Sequence, residues 1–162
     1  MTVLFLHGGG GWDDDQPIVD ALRAQYQVHT PVLDAADLSY TRWSAQITDA
    51  LSPGTPLVVG HSLGGSVALK MATQGRLPVH RLVLLAAPEW GPRGWDVADY
   101  ALADTARLPA NLQLELHHCA DDDVVPPAHL ELLAARFPES RARLWPDGGH
   151  QFTGRDVVGS LP

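Results

Sequence analysis

Short, continuously apolar runs alternate along this chain with longer stretches in which apolar residues recur every third or fourth position. Thr2 to Leu6 (TVLFL), Leu57 to Val59 and residues 80–86 (HRLVLLA) show no polar alternation. That is the pattern of strands buried on both faces, and so of a parallel sheet. Tyr26 to Leu33 reads as a further strand, Leu112 to His118 sits where another is due, and Arg141 to Trp145 closes the series. Helical spacing fills the intervals. Residues 17–25 predict a helix with Pro17 in its first turn and Asp14 or Asp15 as cap. Residues 37–51 place Leu38, Trp43, Ile47 and Leu51 on one stripe and stop before Ser52-Pro53-Gly54. Helices are also predicted after residue 62, over 97–107, over 128–137 and over 152–161. Strands and helices in this alternation specify an α/β fold, a parallel sheet with helices on both faces. Ligands in such sheets bind beyond the carboxyl ends of the strands.

Composition narrows the class. At 162 residues the chain reads as one domain, 1–162, small for an enzyme but able to bury a core. A formal charge of −8 argues against nucleic acid and anionic membrane surfaces as partners. Cys119 is the single cysteine, which excludes an internal disulfide and any multi-cysteine metal site and fits a reducing cytoplasm. The apolar start is too short for a signal peptide, and no apolar run approaches membrane-spanning length.

The most informative stretch is TPLVVGHSLGGSVALKMA, residues 55–72. It reads as a buried strand, then G-x-S-x-G, then a helix, the context in which that motif marks a nucleophile. Gly60 and Gly64 let strand and helix backbones pass closely, and Ser62 is pushed out at the strand's carboxyl end, near the positive end of the helix dipole. The Leu63 N–H points the same way and can donate to a developing oxyanion. The bland alternative is a glycine-rich turn with an incidental serine.

The first strand runs directly into His7-Gly8-Gly9-Gly10-Gly11-Trp12. Free backbone N–H groups there would suit phosphate or an oxyanion. Neither G-x-G-x-x-G opening a helix nor Gly-Lys-Ser/Thr is present, so an oxyanion loop is the better reading. A serine hydroxyl also needs a base, oriented by a third group. Asp121-Asp122-Asp123 follows the fifth strand and His150 follows the sixth, giving the order Ser, Asp, His.

With these pieces assembled, HGGGG at 7–11, GHSLGG at 60–65, DDVVP at 122–126 and GGH at 148–150, the chain resembles the α/β-hydrolases, and more loosely their small, lidless serine hydrolases. The resemblance implies a three-layer α/β/α fold with about six parallel strands in the order 2-1-3-4-5-6, without the first two family strands and the cap domain. It implies Ser62 as nucleophile, His150 as general base and acid, and Asp122 as the orienting acid, because the family's acid often stands as D-x-x-V-P. Asp121 and Asp123 remain alternatives. The oxyanion donors would be the N–H groups of Gly9 and Leu63, with Gly10 an alternative.

Other residues carry blander expectations. His7 and His61 are read as structural, their rings hydrogen-bonded behind the site. His117 and His118 point to opposite faces of a strand and cannot easily share a metal. Cys119 is read as a buried filler. Trp12, Trp90 and Trp95 lie on loops at the strands' carboxyl ends and are expected to line an acyl or alcohol pocket. The expectation is a serine hydrolase for small esters, monomer or homodimer, with no metal or organic cofactor. A thioesterase, amidase or lactonase on the same triad, or a non-catalytic binding protein, are the rivals.

Overall fold

Six parallel strands pair in the order β2-β1-β3-β4-β5-β6, as expected from the resemblance, in a computed structural model that describes residues 2–157. The strands are β1 (Thr2–Leu6), β2 (Gln27–His29), β3 (Leu57–His61), β4 (Arg81–Leu85), β5 (Gln113–Cys119) and β6 (Arg141–Trp145). The helices are α1 (Gln16–Arg23), α2 (Tyr40–Ala50), α3 (Ser62–Thr73) and α4 (Ala128–Arg136). Because side chains alternate across a strand, β1 splits its apolar residues between two cores. Leu4 and Leu6 join Val58, Leu82, Leu84, Leu114 and Leu116 under α2, α3 and α4, where Trp43, Ile47, Val67, Met71 and Leu133 are buried. Val3 and Phe5 join Leu57, Val59, Val83 and Leu85 under α1, where Ile18, Val19 and Leu22 are buried. This second face is completed by Phe152 and Val157. Over 152–157 the chain forms turns rather than the start of the expected terminal helix; the rest of that helix lies outside the described residues.

Three expectations change, each for a visible reason. β2 ends at His29, because the Leu33 N–H leaves the ladder to donate to His7 Nε2 at 2.9 Å, and Pro31 has no N–H to pair. α2 begins at Tyr40 rather than Asp37, because Asp34 and Asp37 take the preceding N–H groups in turns and Ser39 caps the helix by accepting from the Arg42 N–H. Residues 97–107 form turns, not a helix. Here the carbonyls a helix would need are captured from outside. Lys70 Nζ donates to the Asp99 carbonyl at 2.7 Å, and Arg136 donates to those of Leu102 and Ala103. The Asp99 carboxylate in turn accepts from the Tyr40 N–H at 2.8 Å, and the Tyr100 hydroxyl donates to the Leu38 carbonyl at 2.6 Å. The segment keeps short turn bonds of its own, such as the Ala101 N–H to the Val97 carbonyl at 3.1 Å, and is otherwise tied to α2, α3 and α4.

Candidate active site

β3 and α3 meet at Ser62 with no intervening loop. Ser62 takes φ 49°, the left-handed region that a non-glycine residue occupies only under strain. The crossing is close enough that side chains are excluded. A Cβ at Gly60 would stand 2.5 Å from Gly65 Cα, and one at Gly64 would stand 2.4 Å from the His7 carbonyl oxygen. Leu63, in the first turn of α3, has no intrahelical acceptor for its N–H.

The loop after β1 faces this turn. His7 is buried and spends both ring nitrogens on backbone: Nδ1–H donates to the Gly8 carbonyl at 2.7 Å, and Nε2 accepts from the Leu33 N–H. The Gly8 N–H donates to Asp15 Oδ2 at 2.8 Å. Gly9 lies over Leu63, whose Cδ2 would be 3.5 Å from a Cβ at Gly9. Among the described residues the Gly9 N–H has no acceptor.

Asp122 is the acid that meets His150. Its Oδ2 lies 2.8 Å from His150 Nδ1, while Oδ1 accepts the N–H groups of Val124 and Val125 at 2.9 Å each. His118 Nε2 donates to the Val125 carbonyl at 2.8 Å and sits 3.3 Å from the same Oδ2. Burial alone would raise the Asp122 pKa. The hydrogen bonds from His118, His150, Val125 and Val124 outweigh it and hold the carboxyl well below the usual carboxylate range. Asp121 points elsewhere, accepting from the N–H groups of Gly149 at 2.8 Å and Gly148 at 3.3 Å, and Asp123 is exposed.

Ser62, Leu63, Gly8, Gly9, Gly10 and His150 line one cleft of about 300 Å³ at the carboxyl ends of the strands. A serine, an imidazole held on Nδ1 by a carboxylate and backbone N–H groups around one cleft are the parts of nucleophilic acyl transfer. A larger groove, about 690 Å³, lies between residues 104–112 and the end of α4 and contains none of these groups. Chemistry, not size, locates the site.

Trp90 and Trp95 line the cleft, their rings edge-on at 5.1 Å. Trp12 does not. It packs against the cluster of Val19 and Leu22 under α1, with the Arg23 guanidinium 5.8 Å from its ring. The loop bearing the other two tryptophans is stiffened by Glu89, which the sequence does not single out: its N–H donates to His129 Nδ1 at 2.9 Å and its carboxylate lies 3.7 Å from Arg136. Asp15 is a second omission. It stands at the cap position of α1 but makes no cap bond, and its carboxylate turns inward to Gly8 and His61. A run of three aspartates gives no sign of which one is buried.

The remaining candidates are structural in setting. His117 Nδ1 accepts from the Trp145 indole at 3.2 Å, on the face opposite His118. Cys119 is fully buried, and burial, with the nearby carboxylates of Asp121 and Asp122, pushes its thiol up to about 12. Among the described residues no cluster of three or more His, Cys, Asp or Glu is arranged to hold a metal ion, and no helix is long and apolar enough to cross a membrane.

Solved structures with this architecture are numerous. MGS-M1, an alpha/beta hydrolase enzyme from a Medee basin deep-sea metagenome library, is 20% identical at a TM-score of 0.69, with 99% of this chain and 74% of that one covered. Alpha/beta hydrolase domain-containing protein 10 from mouse is 15% identical at a TM-score of 0.74, covering 99% and 86%. The 2-hydroxy-6-oxo-6-phenylhexa-2,4-dienoate hydrolase of Rhodococcus sp. strain RHA1 is 15% identical at 0.73, covering 99% and 88%. At these identities the likeness is one of fold. No curated protein matches the sequence. Residues 3–153 match the model of the Alpha/beta hydrolase family, and the chain belongs to that family.

Proposed function

We propose that this protein is a serine hydrolase that cleaves small carboxylic esters through an acyl-enzyme. The observation that carries the reading is the buried Asp122–His150 pair, with His150 opening onto the same cleft as Ser62 on its strained turn. With Nδ1 held by Asp122, His150 has Nε2 left to take the Ser62 proton as Oγ attacks the ester carbonyl. The oxyanion that develops is held by the N–H groups of Gly9 and Leu63. His150 then returns the proton to the leaving alcohol, and the same imidazole activates the water that releases the acid. Among the described residues Ser62 Oγ makes no hydrogen bond, which leaves it free to turn toward His150 across the cleft both residues line.

Cleft volume sets the substrate size. About 300 Å³ is at the lower limit of small-molecule pockets, and Trp95 is 40% exposed at its rim. With Trp12 turned away, the apolar wall is one-sided. Each buried methylene is worth up to about 0.8 kcal/mol, so kcat/KM stops rising once the acyl chain reaches water. Across p-nitrophenyl esters it is expected to peak between acetyl and hexanoyl, and a fluorophosphonate probe is expected to add its mass to Ser62. Failure to label Ser62 would refute the serine mechanism. A steady rise through dodecanoyl would refute the open cleft.

A further inference from the structure

A second buried aspartate–histidine pair stands beside the first, and nothing in the acyl-transfer scheme uses it. The Asp15 carboxylate lies 2.8 Å from His61 Nδ1, and both side chains are almost wholly buried. Asp15 Oδ2 also accepts the Gly8 N–H at 2.8 Å. His61 Nε2 lies 2.9 Å from the His150 carbonyl, which can only accept, so this nitrogen carries a proton, and the contact between Nδ1 and the Asp15 carboxylate holds a second one. The Nε2 proton points into a backbone carbonyl, and His61 has no nitrogen left to serve as a base.

Where these bonds land is the point. Gly8 precedes Gly9, His61 precedes Ser62, and the bonded carbonyl belongs to His150 itself. The three segments are far apart in sequence, yet one carboxylate and one imidazole join them. We infer that Asp15 and His61 are positioning residues for acyl transfer, fixing the oxyanion loop, the nucleophile turn and the histidine loop in one relative geometry. This inference rests on the serine-hydrolase reading. Misplacement of reacting groups by about 1 Å can cost roughly 100-fold in rate without weakening ground-state binding.

The test uses Asp15→Ala, His61→Ala, the double variant and Asp15→Asn. Each preparation is titrated for active sites with a fluorophosphonate, so that rates are per folded, competent site. Both Ala variants should lose about 100-fold in kcat with KM changed less than about threefold. The double variant should be no worse than about threefold below either single, because the pair acts as one unit. Asp15→Asn, which can accept from the Gly8 N–H and donate to a neutral His61 Nδ1, should recover most of the loss. Where an Ala variant does not fold, His61→Gln replaces it. It keeps a donor toward the His150 carbonyl but loses Asp15, and should fall about tenfold in kcat. Variants that melt earlier but keep kcat per site within threefold of wild type would overturn the positioning role and leave a purely structural one. A wild-type protein that neither labels at Ser62 nor cleaves esters would instead overturn the hydrolase reading, and this inference with it.

Discussion

The two buried aspartate–histidine pairs have the same separation, 2.8 Å, and near-equal burial, but different prospects. Asp122–His150 leaves one imidazole nitrogen facing a cleft that holds a strained serine. Asp15–His61 gives its second nitrogen to a backbone carbonyl. A histidine's role is set by what its far nitrogen meets, not by the carboxylate behind it. The two pairs are also coupled, since His61 holds the main chain of His150 while Asp122 holds its ring, with the two rings 4.6 Å apart. In the proposed mechanism one pair reacts and the other aims it.

The largest expected effect comes from removing the proposed nucleophile that the Asp122–His150 pair serves. Ser62→Ala should leave the fold intact and lower kcat by about a million-fold, since nothing else can form the acyl-enzyme. Asp122→Asn comes next, at about ten-thousand-fold, because an amide cannot hold His150 in the required tautomer and stabilise its charged form. Both are measured on p-nitrophenyl acetate. If Asp15→Asn cost as much as Asp122→Asn, the distinction between the pairs would fail.

Much of this site is legible in the order of residues alone. The motifs at 60–65 and 148–150 are glycine-rich because backbones there approach too closely for a Cβ or take positive φ, as Gly11 also does at the end of 7–11, and such constraints leave a visible mark in sequence. The continuously apolar strands are visible for the same kind of reason. What stays hidden depends on distant side chains. The helical pattern over 97–107 is overridden by Lys70 and Arg136, which capture its carbonyls from other elements. Asp15 resembles a helix cap until His61, from β3, is placed beside it. Trp12 shares a loop with Gly8 to Gly11 but packs against the cluster of Val19 and Leu22, and nothing local determines that choice.

A smaller effect is expected behind the reacting pair. His118→Leu removes the Nε2–H that lies against Asp122 and should lower kcat about tenfold through a less firmly held acid. It also has a pH signature. The Asp122 pKa is depressed in the folded protein, so its stabilisation is complete above the unfolded carboxylate value, about 3.9, and is lost as pH falls from there through the folded value. Wild type and His118→Leu share one unfolded state, so the gap in melting temperature should shrink only as pH falls through the variant's own folded Asp122 value, which His150, Val124 and Val125 still hold below the unfolded one. A kcat within twofold of wild type would mean His118 acts by packing alone.

The smallest effect decides whether the histidine loop is held from inside or outside. Asp121 grips that loop at the surface through the Gly148 and Gly149 N–H groups, two residues at positive φ that lead into His150. His61 grips it from the interior through the His150 carbonyl. Asp121→Asn keeps one carbonyl oxygen for the shorter contact to Gly149 and gives up the longer one to Gly148. Water can replace an exposed hydrogen bond, and its net worth is about 0.5–1.5 kcal/mol. For a chain of this size that corresponds to roughly 1–6 °C in melting temperature as an upper range. Because the interior bond survives, kcat should fall by no more than about threefold, against the hundredfold expected when Asp15 or His61 is truncated. Equal losses from the exposed and the buried contact would show that any tether on this loop suffices, and the Asp15–His61 pair would have no special claim to aim the reaction.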